Sequence, residues 1–223
     1  IYKFYRYLKY KINFFPSYGA VGEDVLIKKI FKNKTGFYVD VGALHPINGS
    51  NTYHLYKKGW SGVNFDLMKD NIRLFKLFRP RDISLNTAIS SKSGFVNSYI
   101  FDTGSGLNTL EKEWAEKWKK IINKDYTTVK VKQEKLTTLL KKYNCPKNFD
   151  LLNIDVEGHE MEVMKGLDFR VYKPKIILIE IHVKKTSDIF NSEIYSFLKK
   201  KDYELISQYY QTSFFKINNF NPL

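Results

Sequence analysis

The chain has 223 residues, a length that fits one domain with a sizeable core. Its formal net charge is +14, yet 43% of its residues are hydrophobic and 16% aromatic, which excludes a disordered basic tail. No apolar run approaches the ~18 residues of a membrane-spanning helix. The single cysteine, Cys145, excludes an internal disulfide, and a reducing cytoplasm is the expected location.

The positive charge is unevenly distributed along the chain. Residues 1–20 hold 4 basic and no acidic side chains, and residues 111–147 hold 11 basic against 5 acidic ones, whereas residues 148–223 hold 10 basic and 11 acidic ones. Residues 1–20 predict a basic, aromatic amphipathic arm that packs against the domain, contacts a membrane surface peripherally, or joins subunits of a homo-oligomer. We expect residues 21–223 to form the main domain.

Short apolar runs alternate with helical patterns after this arm. A helix is predicted just after Glu23, strands over residues 36–42, 62–66 and 82–89, and helices over residues 52–58 and 69–78. This alternation indicates an α/β fold, with parallel strands joined by right-handed crossovers and helices on both faces of the sheet.

Residues 94–147 interrupt the alternation and are predicted to form a lid-like insertion. The insertion has predicted strands over 95–101 and 127–132, a polar loop over 103–108, and helices over 110–122 and 134–143. Trp114 and Trp118 lie one helical turn apart in it, where they can cover a sugar ring or pack in the core.

The last part of the chain is predicted to complete a mostly parallel, seven-stranded sheet. Strands are expected over residues 149–155, 175–182, 203–210 and 212–218, with helices over 160–165 and 191–200. The join between the last two strands is so short that they should form an antiparallel hairpin at one sheet edge.

Acidic residues close three of the predicted strands, at the edge where open α/β sheets bind ligands: Asp40, Asp66 and Asp155. The turn after the first strand lacks the three glycines of a dinucleotide site, which disfavours a pyrophosphate. Asp66 lies 24 residues beyond Gly42, about where a carboxylate accepts hydrogen bonds from ribose hydroxyls. A nucleoside without a diphosphate, bound by an acidic turn, indicates S-adenosylmethionine.

Methyl transfer to a hydroxyl needs a base or a metal, and residues 150–162 supply five acids without a lysine or arginine. Asp155 is the best-placed base, and Glu157, His159 and His182 are its rivals. A divalent metal held by Asp155, Glu180 and His182 at adjacent strand ends is the alternative, ranked below metal-free catalysis. Glu160 is explained as an acid at a helix N-terminus.

Several sequence blocks match the pattern of a known family. They are Tyr-Val-Asp-Val-Gly-Ala at residues 38–43, Ser-Asn-Thr at 50–52, Gly-Trp at 59–60, Ala-Ile-Ser at 88–90 and Asp-Leu-Leu-Asn-Ile-Asp-Val-Glu-Gly-His-Glu at 150–160. On these blocks the chain resembles the FkbM-type methyltransferases over nearly its whole length. The resemblance implies a Rossmann-like class I methyltransferase that uses S-adenosylmethionine to O-methylate a hydroxyl of a sugar, glycan or related natural product.

The resemblance also implies which residues contact the cofactor. The turn over residues 40–43 would hold the methionine part, Asp66 the ribose, and residues 86–88 the adenine edge. The full set of expected contacts is Glu23, Asp40, Gly42, Ala43, Asn51, Asp66, Leu67, Asn86, Ala88 and Asp155.

Two other functions compete with this one. The +14 charge suggests a nucleic-acid methyltransferase, although the chain lacks the Asn/Asp-Pro-Pro-aromatic signature of enzymes that act on flipped bases. A non-catalytic module could instead bind acidic polymers or membranes through residues 1–20 and 111–147. In the preferred interpretation these basic segments face an anionic acceptor.

Overall fold

The computed structural model describes residues 17–32 and 34–221. The predicted helix of the basic arm falls on residues 1–16 and therefore lies outside the described residues. The strands are β1 Phe37–Val41, β2 Ser61–Asp66, β3 Ile83–Asn86, β4 Ala88–Ser90, β5 Gly94–Ile100, β6 Thr127–Lys135, β7 Leu151–Ile154, β8 Ile176–Glu180, β9 Tyr203–Tyr209 and β10 Thr212–Ile217. The α-helices are α1 Glu23–Phe31, α2 Tyr53–Lys57, α3 Lys69–Phe78, α4 Lys112–Ile122, α5 Leu136–Lys142, α6 Glu160–Lys165 and α7 Glu193–Lys199.

Seven strands form one sheet in the order β3-β2-β1-β7-β8-β10-β9. The first five strands in this order, β3, β2, β1, β7 and β8, run parallel, whereas β10 pairs antiparallel with both β8 and β9. The prediction of a mostly parallel seven-stranded sheet with a C-terminal antiparallel hairpin is therefore confirmed. The strand order reverses between β1 and β7, which is where such sheets bind ligands.

The central strands are buried on both faces because helices cover each side of the sheet. Val39 and Leu152 point into one hydrophobic cluster, which α5, α6 and α7 complete. Their neighbours Tyr38 and Leu151 point into the opposite cluster, against α1 and α2. This period-two division explains why the central strands are apolar at every position except those that serve the site.

The predicted third strand over residues 82–89 is wrong in one respect, because it is two strands in different sheets. β3 pairs with β2 in the large sheet, whereas β4 pairs with β6 in a three-stranded sheet of order β4-β6-β5. The Asn86 side-chain amide donates to the backbone oxygens of Asp66 and Leu67, which caps the end of β2 and lets the chain leave the large sheet.

Within the described residues, no helix combines the length and apolarity needed to cross a membrane. The most apolar run, β8, is instead a central strand of the sheet.

Candidate active site

A pocket of about 230 Å³ opens at the carboxyl ends of β1, β2 and β7. Most of the site residues proposed from the sequence line it: Asp40, Gly42, Ala43, Asn51, Asp66, Leu67, Ala88, Asp155, Glu157 and His159. Glu23, Asn86, Glu180 and His182 lie outside this lining.

Gly42 allows the β1 turn to pass directly against the end of β7. Its φ is +83°, and an added Cβ would lie 2.8 Å from the carbonyl carbon of Asp155 and closer still to the oxygen. Only glycine fits this position, because a side chain would meet both a disfavoured backbone conformation and the neighbouring backbone. This close approach brings the β1 turn and Asp155 to the same pocket.

Asp40 is buried, and both of its carboxylate oxygens are already engaged. Thr52 Oγ1 donates to Oδ2 at 2.6 Å, and Asn153 Nδ2 donates to Oδ1 at 2.9 Å. Asn51 Nδ2 donates in turn to Asn153 Oδ1 at 3.3 Å, while Asn51 Oδ1 is buried and has no partner among the described residues. Burial raises the pKa of Asp40. Asp40 therefore positions Asn153 and Asn51, and the Asn51 oxygen is available to accept from a ligand.

Asp66 closes β2 and receives three hydrogen bonds. The backbone N–H groups of Leu44 and Met68 donate at 2.9 and 2.7 Å, and Asn71 Nδ2 donates at 3.0 Å. Burial raises the pKa of Asp66 to about 6, although these donors oppose the shift. A carboxylate has about four acceptor positions, so the one that remains can accept from a ribose hydroxyl.

Asn86 and Glu23 act at a distance from the pocket surface. Asn86 donates to the backbone oxygens of Asp66 and Leu67 and does not line the pocket, whereas Ala88 of the same stretch does. Glu23 Oε2 accepts from the Val21 N–H at 3.1 Å at the start of α1.

Arg79 is a supporting residue that no sequence pattern indicated. Its side chain is fully buried and donates to the Pro46 oxygen at 2.7 Å, to Thr52 Oγ1 at 2.8 Å and to Ser50 Oγ at 2.5 Å. Thr52 in turn donates to Asp40. Arg79 thus fixes the segment between β1 and α2, which forms one wall of the pocket.

Four carboxylates lie close together where β7 and β8 end: Asp155, Glu157, Glu160 and Glu180. Asp155 is exposed to the pocket, although many protein atoms surround it. Burial raises its pKa well above the usual range, and the negative charges of Glu180, Glu157 and Glu160 act in the same direction. The exposure of Asp155 reduces the effect of burial on its pKa, whereas the effect of the neighbouring carboxylates remains. Asp155 is therefore a carboxyl group with a high affinity for a proton.

Glu160 has a structural role within this group. Its Oε1 accepts from the backbone N–H groups of Val156 and Gly158 at 3.2 and 3.1 Å, which closes the turn before α6. This matches the expectation that Glu160 serves the helix N-terminus.

Glu157 adopts a backbone conformation that is uncommon for a residue with a side chain, with φ at +53°. Trp118 Nε1 donates to its Oε2 at 3.1 Å, and Thr109 Oγ1 donates to its backbone oxygen at 2.7 Å. Burial, followed by the charge of Glu180, raises the pKa of Glu157 to about 7. Residues of the insertion thus hold Glu157 in the pocket wall.

His182 is covered by the insertion. The Trp114 ring lies 4.3 Å from the His182 ring, and Lys117 Nζ lies 4.0 Å from the centre of the Trp114 ring. Burial lowers the pKa of His182, but the Glu180, Glu157 and Glu160 carboxylates outweigh it, so the net shift is upward.

The structure changes the set of residues that could hold a metal. One ligand atom each from Glu157, Glu180 and His182 lies within 4.8 Å of the others. The set expected from the sequence contained Asp155 in place of Glu157. Glu157 takes this place because Trp118 Nε1 donates to its Oε2, so its carboxylate is held where it lies beside Glu180 and His182.

His159 lines the pocket between two polar partners. Its Nδ1 lies 2.6 Å from Glu111 Oε1, and its Nε2 lies 3.1 Å from Ser90 Oγ. Both ring nitrogens are engaged, so His159 is better suited to holding the insertion against β4 than to receiving a proton from a ligand.

The insertion contributes pocket residues that the sequence did not single out. Its loop supplies Ser105, Gly106, Asn108 and Leu110 to the lining. Asn153 was also missed, although a polar side chain inside a buried strand is a signal that could have found it.

Two solved structures are similar to this chain. The FkbM methyltransferase from Methylobacillus flagellatus KT has 11% sequence identity and a TM-score of 0.49, over 82% of this chain and 43% of that protein. A candidate rRNA-methylase from Clostridium thermocellum has 11% identity and a TM-score of 0.48, over 91% of this chain and 97% of that one. This chain therefore spans less than half of the Methylobacillus protein, and no curated protein matches it.

The family assignment rests on a family model rather than on these two structures. The model of the methyltransferase FkbM domain matches residues 40–205, which include the strand ends that build the pocket and the whole insertion. The chain belongs to the FkbM methyltransferase family.

Proposed function

We propose that the protein is an S-adenosylmethionine-dependent O-methyltransferase that acts on a hydroxyl of a sugar, glycan or related natural product. The observation that carries this proposal is the convergence of Asn51, Asp66 and Asp155 on one pocket at the carboxyl ends of three parallel strands. Family membership supplies the reaction class.

The pocket residues fit S-adenosylmethionine chemically. The buried Asn51 oxygen has no donor within residues 17–32 and 34–221 and would accept from the ammonium of the methionine part, while Asp66 would accept from a ribose hydroxyl. The acidic wall around Asp155 favours a ligand with positive charge. When bound, S-adenosylmethionine supplies an electrophilic methyl group on a sulfonium.

The chain's own contribution to the reaction is positioning and proton removal. Holding an acceptor oxygen in line with the methyl group can lower the barrier by about 7–11 kcal/mol. A bond forms between the acceptor oxygen and the methyl carbon as the sulfur–carbon bond breaks, and the hydroxyl proton passes to a base. We assign this role to Asp155, because it exposes carboxylate surface to the pocket between the cofactor residues and the insertion.

The aromatic and basic side chains of the insertion favour a sugar-like acceptor. Trp114 and Trp118 sit beside the acidic residues, and aromatic rings suit the apolar faces of sugars. Lys117 lies against the Trp114 ring and would attract an anionic acceptor to the same place. The cytoplasm remains the location we expect, since Cys145 is buried as a free thiol.

The test is a screen of glycans, nucleotide sugars and RNA oligonucleotides with S-adenosylmethionine, read by mass spectrometry as a gain of one methylene. Methylation of a sugar hydroxyl that is lost in Asp155→Asn supports the proposal. Asp168→Asn is the matched control, because Asp168 pairs with Arg170 at the surface. Methylation of RNA alone would favour the nucleic-acid alternative, and binding of S-adenosylmethionine without any transfer would favour a binding module.

A further inference from the structure

We infer that Glu157, Glu180 and His182 bind a divalent cation between the ends of β7 and β8, beside the methyl-transfer pocket. Binding of the cation depends only on these three side chains. Its role in catalysis rests on the proposed function, since Glu157 lines the pocket as well as the cation site.

The geometry of the three side chains is close to that of a coordination sphere. Ligand atoms from Glu157, Glu180 and His182 lie within 4.8 Å of one another. A metal with oxygen and nitrogen ligands at about 2.0–2.3 Å keeps any two of them within about 4.6 Å. Small side-chain rotations would therefore bring all three atoms onto one ion.

Among the described residues, two of the ligand atoms have no polar partner except each other. Glu180 Oε2 and His182 Nε2 are both buried and lie 3.0 Å apart, which makes an ion pair when His182 is protonated, and neither atom has a well-aligned hydrogen bond. The bonding capacity of both atoms is therefore only partly used. A cation between them would satisfy both at once.

The negative charges around the site also favour binding of a cation. Asp155, Glu157, Glu160 and Glu180 form no ion pair with a lysine or arginine in the part of the chain that the structure describes. Their mutual repulsion needs either protons or a positive ion to balance it. His182 alone cannot neutralise four carboxylates.

The donor set indicates the class of ion. Two carboxylates and one imidazole suit Mn²⁺ and similar first-row divalent ions, with the remaining positions left to water or substrate oxygen. An ion in this place would polarise the acceptor hydroxyl and so make its proton easier for Asp155 to remove. The ion would also attract the Glu180 carboxylate, and so reduce the repulsion between Glu180 and Asp155.

The first test measures binding of Mn²⁺ to chelator-treated protein, with pulsed electron paramagnetic resonance to detect an imidazole nitrogen on the ion. We expect one site with one histidine ligand in the unaltered protein, and at least about tenfold weaker binding in His182→Gln and Glu180→Gln. His54→Gln is the matched control, because His54 lies on α2 and outside the pocket lining. Absence of a nitrogen signal, or equal affinity in all variants, would overturn the inference.

The second test separates this inference from the proposed function. S-adenosylmethionine is titrated into the same chelator-treated protein by calorimetry. Binding of S-adenosylmethionine without Mn²⁺ binding would refute the cation site and leave the methyltransferase proposal standing. Mn²⁺ binding without S-adenosylmethionine binding would support the site and contradict the proposed function. If both bind, turnover that is unchanged by the chelator would contradict a catalytic role for the ion.

Discussion

The close approach of Gly42 to Asp155 gives a sharp prediction for the substitution Gly42→Ala. The added Cβ would lie 2.8 Å from the Asp155 carbonyl carbon, inside the 3.0 Å limit that real Cβ atoms respect, and still nearer to the oxygen. Either the β1 turn or the end of β7 must move. Both carry pocket residues, so we expect S-adenosylmethionine binding to suffer directly.

The expected loss of stability in Gly42→Ala has two parts. A side chain in the left-handed region costs about 1–2 kcal/mol, and forcing an extra carbon into a packed site costs about 1–3 kcal/mol more. Gly59→Ala is the matched control, because Gly59 has a φ of +91° but, in the part of the chain that the structure describes, its added Cβ would contact only Thr35 Cγ2, at 3.9 Å. The difference between the two variants isolates the clash. For a chain of this length it corresponds to a Tm about 2–12 °C lower in Gly42→Ala than in Gly59→Ala.

The assay combines thermal unfolding with calorimetric titration of S-adenosylmethionine. A displacement of about 1 Å at a site can cost about a hundredfold in function, so we expect affinity to fall by one to two orders of magnitude in Gly42→Ala and to stay near normal in Gly59→Ala. Equal Tm values and equal affinities in the two variants would refute the role of this contact.

Three further predictions concern the cofactor and the insertion. Because the pKa of Asp66 is raised to about 6, its carboxylate is protonated as the pH falls through that value, and the Kd for S-adenosylmethionine should rise below about pH 6. If Asp66→Asn showed the same dependence of Kd on pH as the unaltered protein, Asp66 would not be its cause. Gly158→Ala places a Cβ 2.6 Å from Trp114 Cγ and should displace the Trp114 ring. We expect the KM for the acceptor to rise, while the Kd for S-adenosylmethionine, measured by calorimetry, changes little. An unaltered KM would contradict a role for Trp114 in acceptor binding. If the acceptor is anionic, turnover should fall as added salt shortens the screening length from about 30 to about 8 Å, and turnover that is independent of salt would count against an anionic acceptor.

Much of the fold could be predicted because the strands of a parallel sheet are short apolar runs closed by polar residues. β1, β7 and β8 have that pattern, and the short join between β9 and β10 dictated a hairpin. The three-stranded sheet was not predicted as a unit. β6 is mostly exposed and alternates lysine with small polar and apolar residues, so its pattern indicates a strand without indicating its partners.

The candidate site could also be predicted only in part. The acids at the carboxyl ends of β1, β2 and β7 could be placed at one edge, because parallel strands end together there. The contacts that hold them could not, since Arg79 reaches Ser50 and Thr52 across 29 and 27 residues of sequence. The exchange of Asp155 for Glu157 in the candidate metal set accompanies a contact with Trp118, which lies 39 residues away in the sequence and could not be predicted from it.

Calorimetric titration of S-adenosylmethionine into the unaltered protein and into Asp66→Ala tests the central claim most directly. Removing a hydrogen bond to a charged group costs about 1.5–3 kcal/mol, so we expect saturable binding by the unaltered protein and about 10- to 100-fold weaker binding by the variant. Failure of the folded, unaltered protein to bind, or equal affinity in the variant, would contradict the assignment of this pocket to S-adenosylmethionine.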